Sequence, residues 1–205
     1  MAPGLLGRCS RCYLRERYCA CAKIAPVQTT TRFLVVRHKR ESYKSTNSAR
    51  WAGLALSNFE LYDYENRAAF EPAVLARPNA WLLFPRDEGD VELALPPSAA
   101  PSTLVVLDGT WRQVRRMLNH LKELKGLPRL ALKLTRPAVP RLRQRDLPGQ
   151  LSTMEAIALA VEALEGEARA LPLWSAYAAL IEGSQRGRGT YRETDARAGS
   201  GGIDE

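Results

Sequence analysis

The residues best equipped for chemistry are four thiols near the start of the chain and one carboxylate in its middle. Cys9, Cys12, Cys19 and Cys21 are the chain's only cysteines and form a C-x2-C-x6-C-x-C pattern. Each short pair can chelate, and the six residues between them allow a loop, so four thiolates can surround one tetrahedral ion. Zinc takes such all-sulfur closed sites, and an iron–sulfur cluster uses the same ligands. A redox-sensitive cluster is the plainer alternative, while two disulfides do not suit a reducing compartment. The interleaved Arg11, Arg15, Arg17 and Lys23 make this knuckle basic. It suits a scaffold or a contact with a polyanion.

The carboxylate is Asp108, which follows the apolar run Leu104-Val105-Val106-Leu107. That places it at the rim of a sheet, where open α/β folds bind ligands. Gly109 permits a tight turn or close approach to the backbone. Thr110 can cap the next helix, and Trp111 offers a stacking face. Asp108 is either a functional acid or merely that helix's N-cap. Two more strand ends carry polar groups. One is Arg37-His38-x-x-Glu41, followed by Asn47-Ser48-x-Arg50 opening a helix; the other is Phe84-Pro85-Arg86. His38 is either a ligand group or a hydrogen-bonded histidine at a strand end. Ser152-Thr153-Met154-Glu155 reads as a capping box, which explains it on local grounds alone. There is no nucleophile–base triad, P-loop or dinucleotide fingerprint, which disfavours ATP-dependent and nicotinamide chemistry.

The elements that must position these groups alternate. Apolar runs at residues 33–36, 81–84 and 104–107, with a weaker one at 130–134, have the length of strands buried on both faces of a parallel sheet. Helices are expected at 49–59, from Val114 to Leu124, from about Met154 and over 173–182. The order predicts an α/β domain, with helices packed on a mainly parallel sheet, at residues 29–183. A knuckle at 1–28 precedes it. The Gly-, Arg- and Ser-rich segment 184–205 is expected to be a disordered tail. Residues 93–101 hold three prolines and read as a loop.

Charge is local. The net charge is +8, yet residues 112–145 contain eleven Lys or Arg and one acid, Glu123, a balance of +10. The rest of the chain is slightly acidic. Such a stretch suits a polyanion, because neutralised phosphates release counterions; a solvated basic surface is the alternative. No apolar run is long enough to span a bilayer, and residues 1–8 do not read as a signal peptide. A cytoplasmic monomer is expected.

These pieces, in this order, resemble the DTW-domain family. The matching features are the cysteine knuckle, His38-x-x-Glu41, Asn47-Ser48-Ala49-Arg50, Leu83-Phe84-Pro85, Asp108-Gly109-Thr110-Trp111 and Leu151-Ser152-Thr153-Met154-Glu155-Ala156. They span residues 9–156. Ser48 stands where the family usually has Thr, and a tyrosine expected just before Arg141 is missing. The resemblance implies a SPOUT-like fold with a C-terminal trefoil knot that holds S-adenosylmethionine. The implied activity is transfer of the 3-amino-3-carboxypropyl group to a tRNA uridine, in bacteria the variable-loop one.

On that resemblance the residues take roles. Leu83, Phe84, Pro85, Leu107, Gly109, Thr110, Ser152, Thr153 and Glu155 would hold S-adenosylmethionine. His38, Glu41, Asn47, Arg50 and Trp111 would meet the uridine and its surroundings. Arg112, Arg115, Arg116, Arg141, Arg143 and Arg145 would hold tRNA phosphates, and the four cysteines a structural zinc. Asp108 would be the general base for the uridine N3 proton. A free Asp titrates at about 3.9, low for that task. Burial beside Trp111 would raise it and Arg112 would lower it, a balance the sequence leaves open. Rival readings are an RNA methyltransferase of the same fold and a zinc-containing RNA-binding protein without catalysis.

Overall fold

The computed structural model describes residues 6–84, 100–132 and 151–191. Five strands form one sheet: β1 (Arg32–His38), β2 (Phe59–Tyr64), β3 (Ala80–Leu83), β4 (Thr103–Asp108) and β5 (Arg129–Leu130). The order is β2-β1-β4-β3-β5, and every pairing is parallel. Five α-helices accompany them: α1 (Lys39–Ser42), α2 (Ser48–Ala55), α3 (Trp111–His120), α4 (Thr153–Glu165) and α5 (Glu167–Arg188).

The apolar runs are continuous because both faces are covered. Phe33, Val35, Leu104 and Val106 face a core shared with α2, α4 and α5. Leu34, Val36, Val105 and Leu107 point the other way, onto Val114 and Met117 of α3 and onto Leu121 and Leu124. Alternation along each strand therefore feeds two cores. Burying each large aliphatic side chain contributes roughly 1.5–3 kcal/mol.

Topology fixes where a ligand can enter. β1 and β4 are neighbours in the sheet, but the chain leaves them toward opposite sides. From β1 it runs through α1 and α2 to β2; from β4 it runs through α3 to β5. The carboxyl ends of β1 and β4 thus open a crevice at a topological switch point. His38 ends one strand and Asp108 the other.

Several elements differ from the sequence reading. The helix expected to reach Phe59 stops at Ala55, and Phe59–Tyr64 is an edge strand. Its sequence, FELYDY, mixes charge with aromatics because most of it stays half-buried, so no apolar run marks it. Only Arg129–Leu130 of the fourth run pairs as a strand. The last helix, expected over 173–182, starts at Glu167 with Pro172 inside it. The helix also continues to Arg188, so residues 184–188 are not tail. Gly189 closes it in the left-handed region, with φ 70°. Packing explains the extension, since Ser184 is buried and Gly183 abuts the knuckle. Residues 192–205, the expected loop at 93–99 and residues 133–150 lie outside the described residues, and the described residues do not show the expected C-terminal knot. Among the described residues, no helix is long and apolar enough to cross a membrane.

The knuckle shares the main core. Cys12, Leu14 and Ala20 are buried in the same cluster as α2 and α5. The Trp51 indole of α2 donates to the Cys12 carbonyl at 3.0 Å. A Cβ on Gly183 would lie 2.5 Å from the Tyr18 carbonyl oxygen, so only glycine lets α5 come this close.

Candidate functional site

Asp108 is not a helix cap. Thr110 caps α3, with its hydroxyl accepting from the Gln113 N–H and the Gln113 side chain accepting from the Thr110 N–H. That capping box leaves the carboxylate free for another role. Asp108 is 6 % exposed. Its Oδ2 accepts from Asn47 Nδ2 at 2.7 Å, and its Oδ1 accepts from the Thr153 hydroxyl.

Those two donors come from opposite ends of the domain's sequence. Asn47 caps α2, and Thr153 opens α4. Asn47 has a fixed orientation, because its Oδ1 accepts from the Arg50 N–H at 2.9 Å and from Arg37 at 3.1 Å. Its NH2 must then face the carboxylate. Arg37 lies beside Asp108 in the β1–β4 register and forms a two-pronged pair with Asp63 of β2, at 2.7 and 3.0 Å. The Thr153 N–H donates to the Ser48 hydroxyl at 3.1 Å. A continuous chain therefore runs Asp63–Arg37–Asn47–Asp108–Thr153. Desolvation dominates at Asp108 and raises its pKa; hydrogen bonds from Thr153 and Asn47 oppose it, nearby Glu41 adds to it, and Arg37 opposes it.

Two hollows flank this carboxylate. The first is an apolar cavity of about 310 Å³. Leu83, Phe84, Leu107, Gly109, Ser152 and Thr153 line it, joined by Val106, Val114, Leu130, Leu132, Leu151 and Ala156. Trp111 also lines it, with its ring 5.9 Å from Phe84 in an edge-on contact. The second is a polar groove of about 860 Å³ walled by His38, Lys39, Arg40, Tyr43, Tyr64, Thr110, Arg112, Arg116 and His120, among others. Tyr43 stands 75 % exposed there. The groove holds four Lys or Arg side chains against one carboxylate, Glu65, which Lys39 pairs. His38 Nδ1 accepts from the Arg40 N–H at 3.2 Å and so caps α1. Burial, aided by the Arg40 charge and opposed by Glu41, lowers its pKa and favours the neutral ring.

The turn after β4 separates the hollows. Leu107, Gly109 and Trp111 face the cavity, whereas Thr110 and Arg112 face the groove. Asp108 sits at the seam, bonded to Thr153 of the cavity wall.

Other expected site residues lie elsewhere. Glu41 is buried and ion-paired with Lys44 at 2.6 Å. Arg50 donates to the carbonyls of Lys44 and Ser42 and stacks over Tyr13, 3.7 Å from the ring centroid. It braces the loop between α1 and α2. Glu155 completes the Ser152 capping box. Arg115 is exposed and lines neither hollow. Pro85, Arg141, Arg143 and Arg145 lie outside the described residues. Arg37 and Asp63 are not among the residues expected from the sequence. Arg37 reads as part of a strand end, and nothing in FELYDY signals that Asp63 reaches it.

The thiols converge. The sulfurs of Cys9, Cys12, Cys19 and Cys21 lie within 4.8 Å of one another. Cys9–Cys21 and Cys12–Cys19 are both 3.8 Å apart. A tetrahedral ion with sulfur bonds of ~2.3 Å requires sulfurs ~3.8 Å apart, so this geometry fits. Burial pushes the Cys12 and Cys21 thiols up. At Cys9 burial acts the same way, but N–H donors from Cys12 and Arg11 outweigh it and bring the thiol down to about 7. The four cysteines are placed to hold one metal ion.

An open, all-parallel five-stranded sheet with flanking helices defines an α/β domain. Within that class, the DTW domain model matches residues 6–184, and the chain belongs to the DTW-domain family. It is similar to the tRNA-uridine aminocarboxypropyltransferase 2 of Drosophila melanogaster, 26 % identical over 173 residues, covering 80 % of this chain and 68 % of that protein. It is also similar to the protein of that name from Macaca fascicularis, 23 % identical over 167 residues, covering 77 % of this chain and 56 % of that one. The chain thus spans between about half and two thirds of these relatives. No solved structure matches it.

Proposed function

We propose that this protein transfers the 3-amino-3-carboxypropyl group of S-adenosylmethionine to N3 of a tRNA uridine. The observation that carries this reading is the buried Asp108 at the seam of an apolar cavity and a basic groove, held by Asn47 and Thr153 instead of capping a helix. In this reading S-adenosylmethionine occupies the cavity, a volume within the small-molecule range. Leu83, Phe84 and Leu107 supply apolar walls, and Gly109, Ser152 and Thr153 supply backbone and hydroxyl groups. The tRNA lies in the groove, against Arg112 and Arg116, and Tyr43 is the exposed aromatic on which an unstacked base can rest. The zinc reading of the knuckle and a SPOUT-like fold with a C-terminal trefoil knot belong to the same proposal.

The reaction balances simply. Asp108 takes the N3 proton. N3 attacks the Cγ of the methionine moiety, the Cγ–S bond breaks, and 5′-methylthioadenosine leaves with the bond's electrons. Desolvation raises the Asp108 pKa toward neutrality, which makes it a better-matched base than a free aspartate. Each carboxylate oxygen accepts a single hydrogen bond, from Asn47 or from Thr153, which leaves lone pairs for the proton.

One observation favours a second role. Asp108 lines neither hollow, though Thr153 does. Asp108 would then orient Thr153 and Asn47 without touching the proton. A more acidic substrate separates the two: 5-fluorouridine at the target position, whose N3 proton leaves more readily, should partly rescue Asp108→Asn if Asp108 is the base and should not if it only orients Thr153 and Asn47.

The decisive experiment is mass spectrometry of nucleosides from unmodified tRNA incubated with the protein and S-adenosylmethionine. Aminocarboxypropyluridine with methylthioadenosine is expected. Methylated nucleoside with S-adenosylhomocysteine would make it a methyltransferase, and no modified nucleoside would overturn catalysis.

A further inference from the structure

The knuckle takes part in a second basic hollow, apart from the groove beside Asp108. A cavity of about 390 Å³ opens where the knuckle, the loop between α1 and α2, and the last turns of α5 meet. Arg8, Arg15 and Arg188 line it, with Ser45 and Thr46, and no acidic residue belongs to its wall among the described residues. Gly183, Ser184 and Gly187 complete the α5 side.

The wall is built from parts that are already held. Arg8 donates to the Tyr13 carbonyl at 3.0 Å, which fixes its guanidinium through one of its five N–H donors. Arg15 sits opposite Arg8 in an isolated antiparallel bridge, so the two basic side chains leave one small ribbon. The loop carrying Ser45 and Thr46 is braced by Arg50 at the carbonyls of Ser42 and Lys44. Its next residue, Asn47, holds Asp108.

Three guanidiniums and three hydroxyls, those of Ser45, Thr46 and Ser184, around one hollow, with a wall free of acidic residues among the described residues, describe a site for a tetrahedral oxyanion carrying more than one acceptor oxygen. A single carboxylate would satisfy one guanidinium and leave the others facing each other. A phosphate has oxygens for several donors. We propose that this hollow seats a backbone phosphate of the tRNA. It is a second anchor, on the Ser45–Thr46 loop whose next residue, Asn47, holds Asp108. This rests on the reading of tRNA as substrate. It gives the basic knuckle a task beyond scaffolding: a fold that must hold one uridine still needs a grip away from that uridine.

The test is tRNA binding by the full chain across salt concentrations, in the Asp108→Asn background so that turnover plays no part. Arg15→Glu is expected to weaken binding about tenfold near 0.15 M salt and to flatten the slope of log K against log salt by about 0.7–0.9, the share of one neutralised phosphate. Arg15→Gln should flatten the slope equally with a smaller loss of affinity. Lys23→Glu is the matched control, an exposed knuckle cation outside the hollow. It should change the slope by less than half as much. The melting temperature of each variant reports that it has folded. An unchanged slope in both Arg15 variants, or an equal effect of Lys23→Glu, overturns the phosphate seat while leaving the function proposal intact. Failure of the parent chain to bind tRNA at all overturns both.

Discussion

The cavity and the groove on either side of Asp108 share one turn yet are made of opposite materials. The cavity takes the apolar ends of β3, β4 and β5 and the start of α4. The groove takes the charged starts of α1 and α3. Alternation of Gly109, Thr110, Trp111 and Arg112 between them shows how four residues serve two environments. The Thr110–Gln113 capping box fixes the turn so that each side chain stays on its side. The two hollows should therefore respond to different perturbations, and Asp108 should respond as neither does.

The largest effect is expected at that seam. Asp108→Asn should lower turnover about 10²–10⁴-fold, the usual worth of a positioned base. S-adenosylmethionine and tRNA binding, read by calorimetry, should stay within about twofold, because the carboxylate lines neither hollow. Loss of either binding with turnover spared would reverse the assignment. Next is metal removal, which should disturb both hollows together. The knuckle is tied to α2 through Trp51 and thence to Asn47. Chelation, or Cys12→Ser, should destabilise the chain by several kcal/mol, on the order of a missing structural metal or crosslink, with release of one metal ion per chain measured by elemental analysis.

How much of this is legible in the sequence follows from what each residue does locally. Asp108 can be placed at a sheet rim because four buried apolar residues precede it, a purely one-dimensional signal. Cys9 to Cys21 are legible because all four ligands lie in one short stretch. The parallel α/β class follows from the same apolar runs. Arg37 and Asp63 are not legible as site residues. Their pairing depends on β1 and β2 lying side by side, and β2 is an edge strand whose half-exposed sequence carries no continuous apolar run. Trp111 is expected beside the substrate but lies on the cavity wall near Phe84, a choice made by the capping box's geometry. Arg50 is assigned to the substrate by the family resemblance, yet its donors go to loop carbonyls.

A smaller, reciprocal pair of effects sharpens the contrast. Trp111→Ala should raise the S-adenosylmethionine Kd about tenfold, by removal of a large apolar wall, and leave the salt dependence of tRNA binding unchanged. Arg112→Glu with Arg116→Glu should flatten that salt dependence by about 0.7–0.9 for each phosphate no longer neutralised and leave the S-adenosylmethionine Kd unchanged. If either change moved both quantities, the hollows would be one site and not two.

The smallest effect concerns stability, and its sign is opposite to that on activity. Because burial raises the Asp108 pKa, the native carboxyl still holds its proton at pH values where the unfolded chain, with a value of about 3.9, has released it. The unfolded state then binds fewer protons than the native state, so stability falls as pH rises through that window. Above the raised native value the penalty of a buried charge is fully present. Asp108→Asn carries no such charge. Its amide oxygen still accepts from Asn47, and its NH2 meets a Thr153 hydroxyl that accepts as readily as it donates. The variant should therefore match the parent at acid pH, below the unfolded value, and gain on it as pH rises. Urea melts at a series of pH values measure this directly. A gap that shrank with rising pH would mean that the Asn47, Thr153 and Arg37 interactions outweigh desolvation, and that Asp108 is an ordinary low-pKa carboxylate poorly suited to take a proton from uridine.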